Sequence, residues 1–95
     1  MMKSDVCCLS INSGHIEIHT KKDTFFLRGT LKELEKKLSY LDFFRCHKCF
    51  IVNMAKIERL VVCVDNSYRI RVEGFKDEIP LSRNRVQKIK DRLVI

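Results

Sequence analysis

Hydrophobic positions in the first third of the chain come in short groups separated by turn residues. Val6 to Ile11 is an apolar run, Asn12-Ser13-Gly14 is a turn signal, and His15-Ile16-Glu17-Ile18-His19-Thr20 alternates with a period of two. After the polar step Lys21-Lys22-Asp23, Thr24-Phe25-Phe26-Leu27-Arg28 forms a third group. Strands this short, joined by tight loops, predict antiparallel hairpins between neighbours.

Gly29 ends that pattern, and Thr30-Leu31-Lys32-Glu33 is a capping box: the threonine hydroxyl meets an orphan amide while the glutamate reaches back to the cap. A helix is expected to follow, with Leu31, Leu34, Leu38 and Leu41 on the face that covers the sheet and Lys32, Glu35, Lys36 and Lys37 in solvent. Strand character returns from Phe43 to Phe50, and Ile57 to Val64 is another apolar run ended by Asp65-Asn66-Ser67. Tyr68 to Glu73 alternates again, which predicts Tyr68, Ile70 and Val72 on the buried face and Arg69, Arg71 and Glu73 in water. Gly74 opens a turn before Glu78-Ile79-Pro80-Leu81. Beyond Ser82 the spacing of Val86, Ile89 and Leu93 predicts a short helix carrying Arg83, Arg85, Lys88, Lys90 and Arg92. The expected fold is mainly β, built from small antiparallel sheets with one or two short helices.

Length and charge narrow the class. Ninety-five residues allow one domain, expected to cover positions 1–95, and no linker or internal repeat is visible. The formal net charge of +7 favours a polyanionic partner, nucleic acid or an anionic membrane surface. The longest apolar run, Leu60 to Val64, is far too short to span a bilayer, so no membrane insertion is expected and the nucleic-acid reading leads. Met1 to Leu9 carries no signal-peptide pattern, which points to the cytoplasm, and five cysteines cannot all pair, which points to reduced thiols.

Two elements concentrate the chemistry. Phe43-Phe44-Arg45-Cys46-His47-Lys48-Cys49-Phe50-Ile51-Val52-Asn53 sets basic and imidazole groups between apolar clamps, and Ile79-Pro80-Leu81-Ser82-Arg83-Asn84-Arg85 sets cations beside a turn signal. On a strand, Arg45 and His47 share one face, facing phosphate, while Phe44 and Cys46 turn to the core. His47 also fits a structural hydrogen bond to a neighbouring loop. Asn84, Arg85 and Lys88 suit backbone contacts that fix register without reading sequence. Asn53 is expected to organise a turn through its amide.

The cysteines and aromatic rings admit rival chemistries. Cys46-His47-Lys48-Cys49 has the spacing of half a zinc knuckle, but tetrahedral zinc needs a complementary pair and adjacent Cys7-Cys8 chelates poorly, so no metal or cofactor is expected. Cys49, near Arg45, His47 and Lys48, suits a thiol-based sensor that binds a partner protein, with Cys46 the other redox candidate; Cys7, Cys8 and Cys63 read as buried and apolar. Phe43, Phe44 or Phe50 could stack on the bases of single-stranded nucleic acid or RNA, which burial of those rings would exclude. No Gly-rich phosphate loop or carboxylate pair supports an enzyme.

Phe44-Arg45-x-His47-Lys48-x-Phe50-x-Val52-Asn53 followed by Ile57, with Ile79-Pro80-x-Ser82-Arg83 and Thr30-Leu31-Lys32-Glu33-Leu34 upstream, resembles the LytTR domain. This is the DNA-binding module of bacterial response regulators of the AlgR, AgrA and LytR type. The resemblance covers about Cys8 to Leu93 and implies an elongated, mostly β domain that reads successive major grooves of double-stranded DNA through loops, as a regulator of transcription in a two-component system. Carried over by position, it makes Lys48 and Arg83 the base-reading residues, with His15 in the loop before the second strand as a third contact. Both cations also fit phosphate contact alone. Relatives of this type usually sit behind a receiver domain, so the chain is expected to be either the effector part of a longer native chain or a stand-alone regulator. Repeated DNA sites are expected because two copies of so small a domain, as a homodimer on DNA, reinforce each other. Cys49 stands where many relatives have serine, a much stronger hydrogen-bond donor.

Overall fold

A computed structural model of the chain describes residues 3–38 and 42–93. Two antiparallel sheets and two short helices make the fold, which measures 33 × 27 × 25 Å. The first sheet holds β1 (Val6–Asn12), β2 (His15–Thr20), β3 (Thr24–Arg28), β4 (Phe43–His47) and β5 (Phe50–Asn53), in the order β3-β2-β1-β5-β4. The second holds β6 (Ile57–Val62), β7 (Tyr68–Val72) and β8 (Phe75–Leu81) in sequence order. Pro80 has no amide to give to a ladder, and it lies on β8, an edge strand.

Two apolar clusters flank the first sheet. One face, through Cys8, Phe44, Cys46 and Val52, packs on Ile70, Val72, Ile79 and Leu81 of the second sheet and on Ile89 of the C-terminal helix. The other face, through Leu9, Ile16 and Ile51, packs on Leu31, Leu34 and Leu38 of α1 (Leu31–Lys37) and its end. Side chains of β1, β4 and β5 therefore serve two cores, one on each side. Leu41, expected on the same helix face, lies outside the described residues.

Helix α1 starts as its capping box requires. The Thr30 hydroxyl accepts from the Glu33 amide at 3.2 Å, and the Glu33 carboxylate accepts from the Thr30 amide at 3.2 Å. Asn53 caps the short 3-10 turn Met54–Lys56: its Oδ1 accepts from the Ala55 amide at 3.1 Å and its Nδ2 donates to the Val6 carbonyl at 2.8 Å. After Ser82 a 3-10 turn, Arg83–Arg85, runs into α2 (Val86–Leu93).

Two expectations change. The stretch Phe43 to Phe50 is not one strand but the arm and tip of a hairpin, because the chain reverses at Lys48-Cys49 and His47 pairs with Phe50. Cys63 is half-exposed rather than buried, since β6 ends at Val62 and Cys63 opens the turn closed by its amide donating to the Ser67 carbonyl at 2.8 Å.

Candidate nucleic-acid interface

Antiparallel register gathers the sequence-predicted residues at one end of the first sheet. His15 starts β2 and is the register partner of Asn12 in β1 and of Arg28 at the end of β3. The Lys48-Cys49 turn sits beside them, because the Ile11 amide donates to the Cys49 carbonyl at 3.1 Å. The Ser82 amide donates to the Cys46 carbonyl at 2.9 Å, which ties the Arg83–Arg85 turn to the same hairpin. One edge therefore carries, in order, Arg28, His15, Lys48 and Arg83, all exposed, with Asn84 exposed and Arg85 half-buried beside Arg83.

Each of these side chains has a distinct setting. The His15 Nδ1 lies 3.2 Å from the Ser13 carbonyl, which orients the ring over the β1–β2 turn. Arg83 borders a shallow depression with Asp65, Asn66, Tyr68 and Val86, so the β6–β7 turn flanks it. Among the described residues no ion pair or hydrogen bond holds the Lys48 side chain, and its ammonium faces solvent.

Arg45 behaves differently. Half-buried, its Nε donates to the His47 carbonyl at 3.0 Å, its Nη2 to the Lys48 carbonyl at 2.6 Å and its Nη1 to Glu35 Oε1 of α1 at 3.2 Å. The guanidinium is turned back into the hairpin and stitches its tip to α1. His47 accepts the Cys49 amide on Nδ1 at 3.1 Å, which leaves Nε2 as the protonated nitrogen of a neutral ring. Burial first, and then the cations of Lys48 and Arg45, hold its pKa below the ordinary histidine value, in agreement with that hydrogen bond.

Sequence reasoning missed Arg28. Its signal was available only through pairing: as the last residue of β3 it becomes His15's neighbour once the register is known. His19, toward the other end of β2, is half-buried. Its Nε2 lies 2.9 Å from Ser10 Oγ and its ring packs on Phe75 of the second sheet, 4.8 Å between centroids. Burial lowers its pKa, with Glu17 and Asp77 opposing.

Phe44 is buried, while Phe43 and Phe50 are half-buried and pack against the two cores, which does not favour stacking on bases. Cys46 is fully buried, and desolvation pushes its thiol up to about 12. Among the described residues no three His, Cys, Asp or Glu side chains gather closely enough to hold a metal ion, and no helix is long and apolar enough to cross a membrane.

Known proteins share this pattern. The sequence profile of the LytTr DNA-binding domain matches residues 2–94. The transcriptional regulatory protein YpdB of Escherichia coli (strain K12) is 30% identical over 73 residues, 77% of this chain and 30% of that protein. The sensory transduction protein LytT of Bacillus subtilis (strain 168) is 32% identical over 92 residues, 96% of this chain and 37% of that protein. The chain thus spans about a third of the length of the relatives it matches. A solved LytTr DNA-binding domain of a methyl-accepting/DNA response regulator from Bacillus cereus superposes with a TM-score of 0.82 at 22% identity, over 97% of this chain and 84% of that one, which shows the same fold.

Proposed function

The chain belongs to the LytTR family of DNA-binding domains, and from that premise we propose that its Arg28-to-Arg83 edge is the surface that reads double-stranded DNA. Sequence-specific DNA binding in the service of transcriptional regulation is the function the family gives it; the residues that perform it are our assignment. The observation that carries the assignment is the pair of backbone hydrogen bonds, Ile11 to Cys49 and Ser82 to Cys46, that bring three separate loops onto one edge.

Lys48 and Arg83 stand at adjacent tips of that edge and supply the base contacts. Guanine offers two acceptors in the major groove, which arginine meets bidentately and lysine as a rotatable point charge. His15 supplies a third contact from the β1–β2 turn. Asn84 and Arg85 hold the phosphate backbone next to Arg83, and His47 lies under the Lys48 turn within reach of the same strand. Arg45 serves Lys48 rather than DNA directly, since its nitrogens already face two carbonyls and a carboxylate.

Shared burial of side chains from both sheets and α2 in one cluster supports a single functional unit. The larger proposal is a cytoplasmic regulator whose native chain adds a receiver domain and which binds repeated sites as paired copies. The relatives' names, a transcriptional regulatory protein and a sensory transduction protein, and their greater length support it. The single-strand and RNA reading is not favoured, for want of exposed rings at the hairpin.

A salt titration on a duplex selected from random sequence and on a scrambled duplex tests the assignment. Wild type is expected to prefer the selected duplex, and Arg83→Ala and Lys48→Ala to lose that preference while keeping salt-sensitive non-specific binding. Equal, salt-driven binding of both duplexes by all three proteins would overturn it.

A further inference from the structure

A second basic surface lies on the outer face of the three-stranded sheet, where the reading edge makes no use of it. Ile70 and Val72 of β7 are buried against the first sheet, so Arg69 and Arg71 stand on the opposite face. Arg59 of β6 is the direct register partner of Arg71. Like charges opposite one another across an antiparallel pair destabilise it. Among the described residues no carboxylate lies within ion-pair distance of any of the three, and the Asp65 carboxylate acts on Arg69 only from further off. The Arg71 Nη1 donates to the Lys76 carbonyl at 3.1 Å, while its buried Nε meets no acceptor.

The cluster is continuous with the reading edge. Tyr68 pairs with Leu81 at the end of the sheet that leads into Ser82 and Arg83, and Arg69 follows Tyr68 directly. At about 3.3 Å per residue, Arg69 and Arg71 stand roughly 3 and 10 Å behind that end. A duplex that continues past Arg83 toward this side presents a line of phosphates to the three guanidinium groups, whose planar forks suit phosphate oxygens.

We infer that Arg59, Arg69 and Arg71 form a flank site for the phosphate backbone, engaging duplex outside the base-read segment. The inference rests on the DNA-reading assignment above. Binding there neutralises a cross-strand repulsion that the protein alone leaves in place, and it draws the duplex toward the second sheet, adding affinity without sequence choice.

The test compares a selected duplex of about one helical turn with the same site embedded in about three turns, for wild type and the exposed-residue variant Arg59→Gln/Arg69→Gln. Arg71 is left in place because it is half-buried, and a melting curve verifies that the variant folds. Wild type is expected to bind the longer duplex more tightly and with a steeper salt slope. The variant should lose that gain, its slope on the long duplex falling by about one per arginine, while its preference for the selected site on the short duplex stays. A variant that matches wild type on both duplexes, or loses equally on both, would overturn the flank site and leave the surface to an acidic protein or to solvent. Failure of wild type to distinguish selected from scrambled short duplex would instead overturn the reading edge itself.

Discussion

The Arg45 guanidinium donates to the Lys48 carbonyl at 2.6 Å, so a half-buried side chain fixes the backbone of the residue placed furthest out on the hairpin. Its other donors hold the His47 carbonyl and the α1 carboxylate of Glu35, which makes the hairpin tip an extension of the rigid core. Base readout depends on such placement, because a bidentate or point-charge contact loses its discrimination when the tip wanders.

Arg45→Gln is therefore expected to lower the preference for a selected over a scrambled duplex by about tenfold, the scale of one lost base contact, with the salt slope unchanged. A slope lowered by about one with discrimination intact would mark Arg45 as a phosphate contact. Glu35→Gln should act in the same direction but weakly, since an ion pair with a half-exposed partner contributes about 1 kcal/mol or less.

Two histidines make folding sensitive to mild acid. His19 and His47 both have pKa values lowered by burial, so the unfolded chain binds protons more readily than the folded one. Their contribution is complete above the unfolded value, about 6.5, and is lost as pH falls through that value toward the lower folded ones. The melting temperature of wild type should thus drop between pH 7.5 and pH 5.5, and His19→Gln/His47→Gln should flatten that drop even if it lowers stability at both. An equal drop in the double variant would place the acid sensitivity elsewhere.

Local signals in the sequence were strong where they were self-contained. The Thr30 to Glu33 cap, the Asn12-Ser13-Gly14 turn and the Asn53 amide each involve groups within a few residues, and the structure shows all three in place. Pairing between distant strands was not legible. Nothing in the local pattern says that β5 inserts between β1 and β4, and without that insertion Lys48 cannot be put on the same edge as His15 and Arg28. The turn at Lys48-Cys49 was hidden for a related reason: it contains neither Gly nor Pro, and it is held by Arg45 and His47, whose charge reads in sequence as ligand-binding rather than as architecture.

Gly74 closes the β7–β8 turn against the first sheet. Its φ is +85°, and a Cβ there would come within 2.9 Å of Cys7 Sγ and 3.2 Å of Lys21 Cβ. Gly14 has a similar φ of +80° with open space around it. Gly14→Ala should lose about 1–2 kcal/mol for the left-handed backbone alone, and Gly74→Ala should lose clearly more, because the buried thiol has to move. Urea unfolding of the two variants makes the comparison, and equal losses would mean that the two sheets separate easily at this point.

The thiols separate the DNA-reading chain from a thiol sensor. Cys7, Cys8 and Cys46 are fully buried, and desolvation raises the pKa of each, to about 12 for Cys46. A thiol held that high carries almost no thiolate at neutral pH and is slow to alkylate or oxidise. Cys49 and Cys63 are half-exposed, one in the Lys48-Cys49 turn and the other just past the end of β6. Iodoacetamide on the native protein should therefore give two adducts, at Cys49 and Cys63, against five after denaturation, read by intact mass and peptide mapping. The Cys49 adduct adds bulk beside Lys48 and is expected to weaken binding to the selected duplex, whereas Cys49→Ser should be unmodified there and keep binding. Rapid native labelling of Cys46 would show that the hairpin opens to solvent, which would remove the rigid tip on which the placement of Lys48 depends.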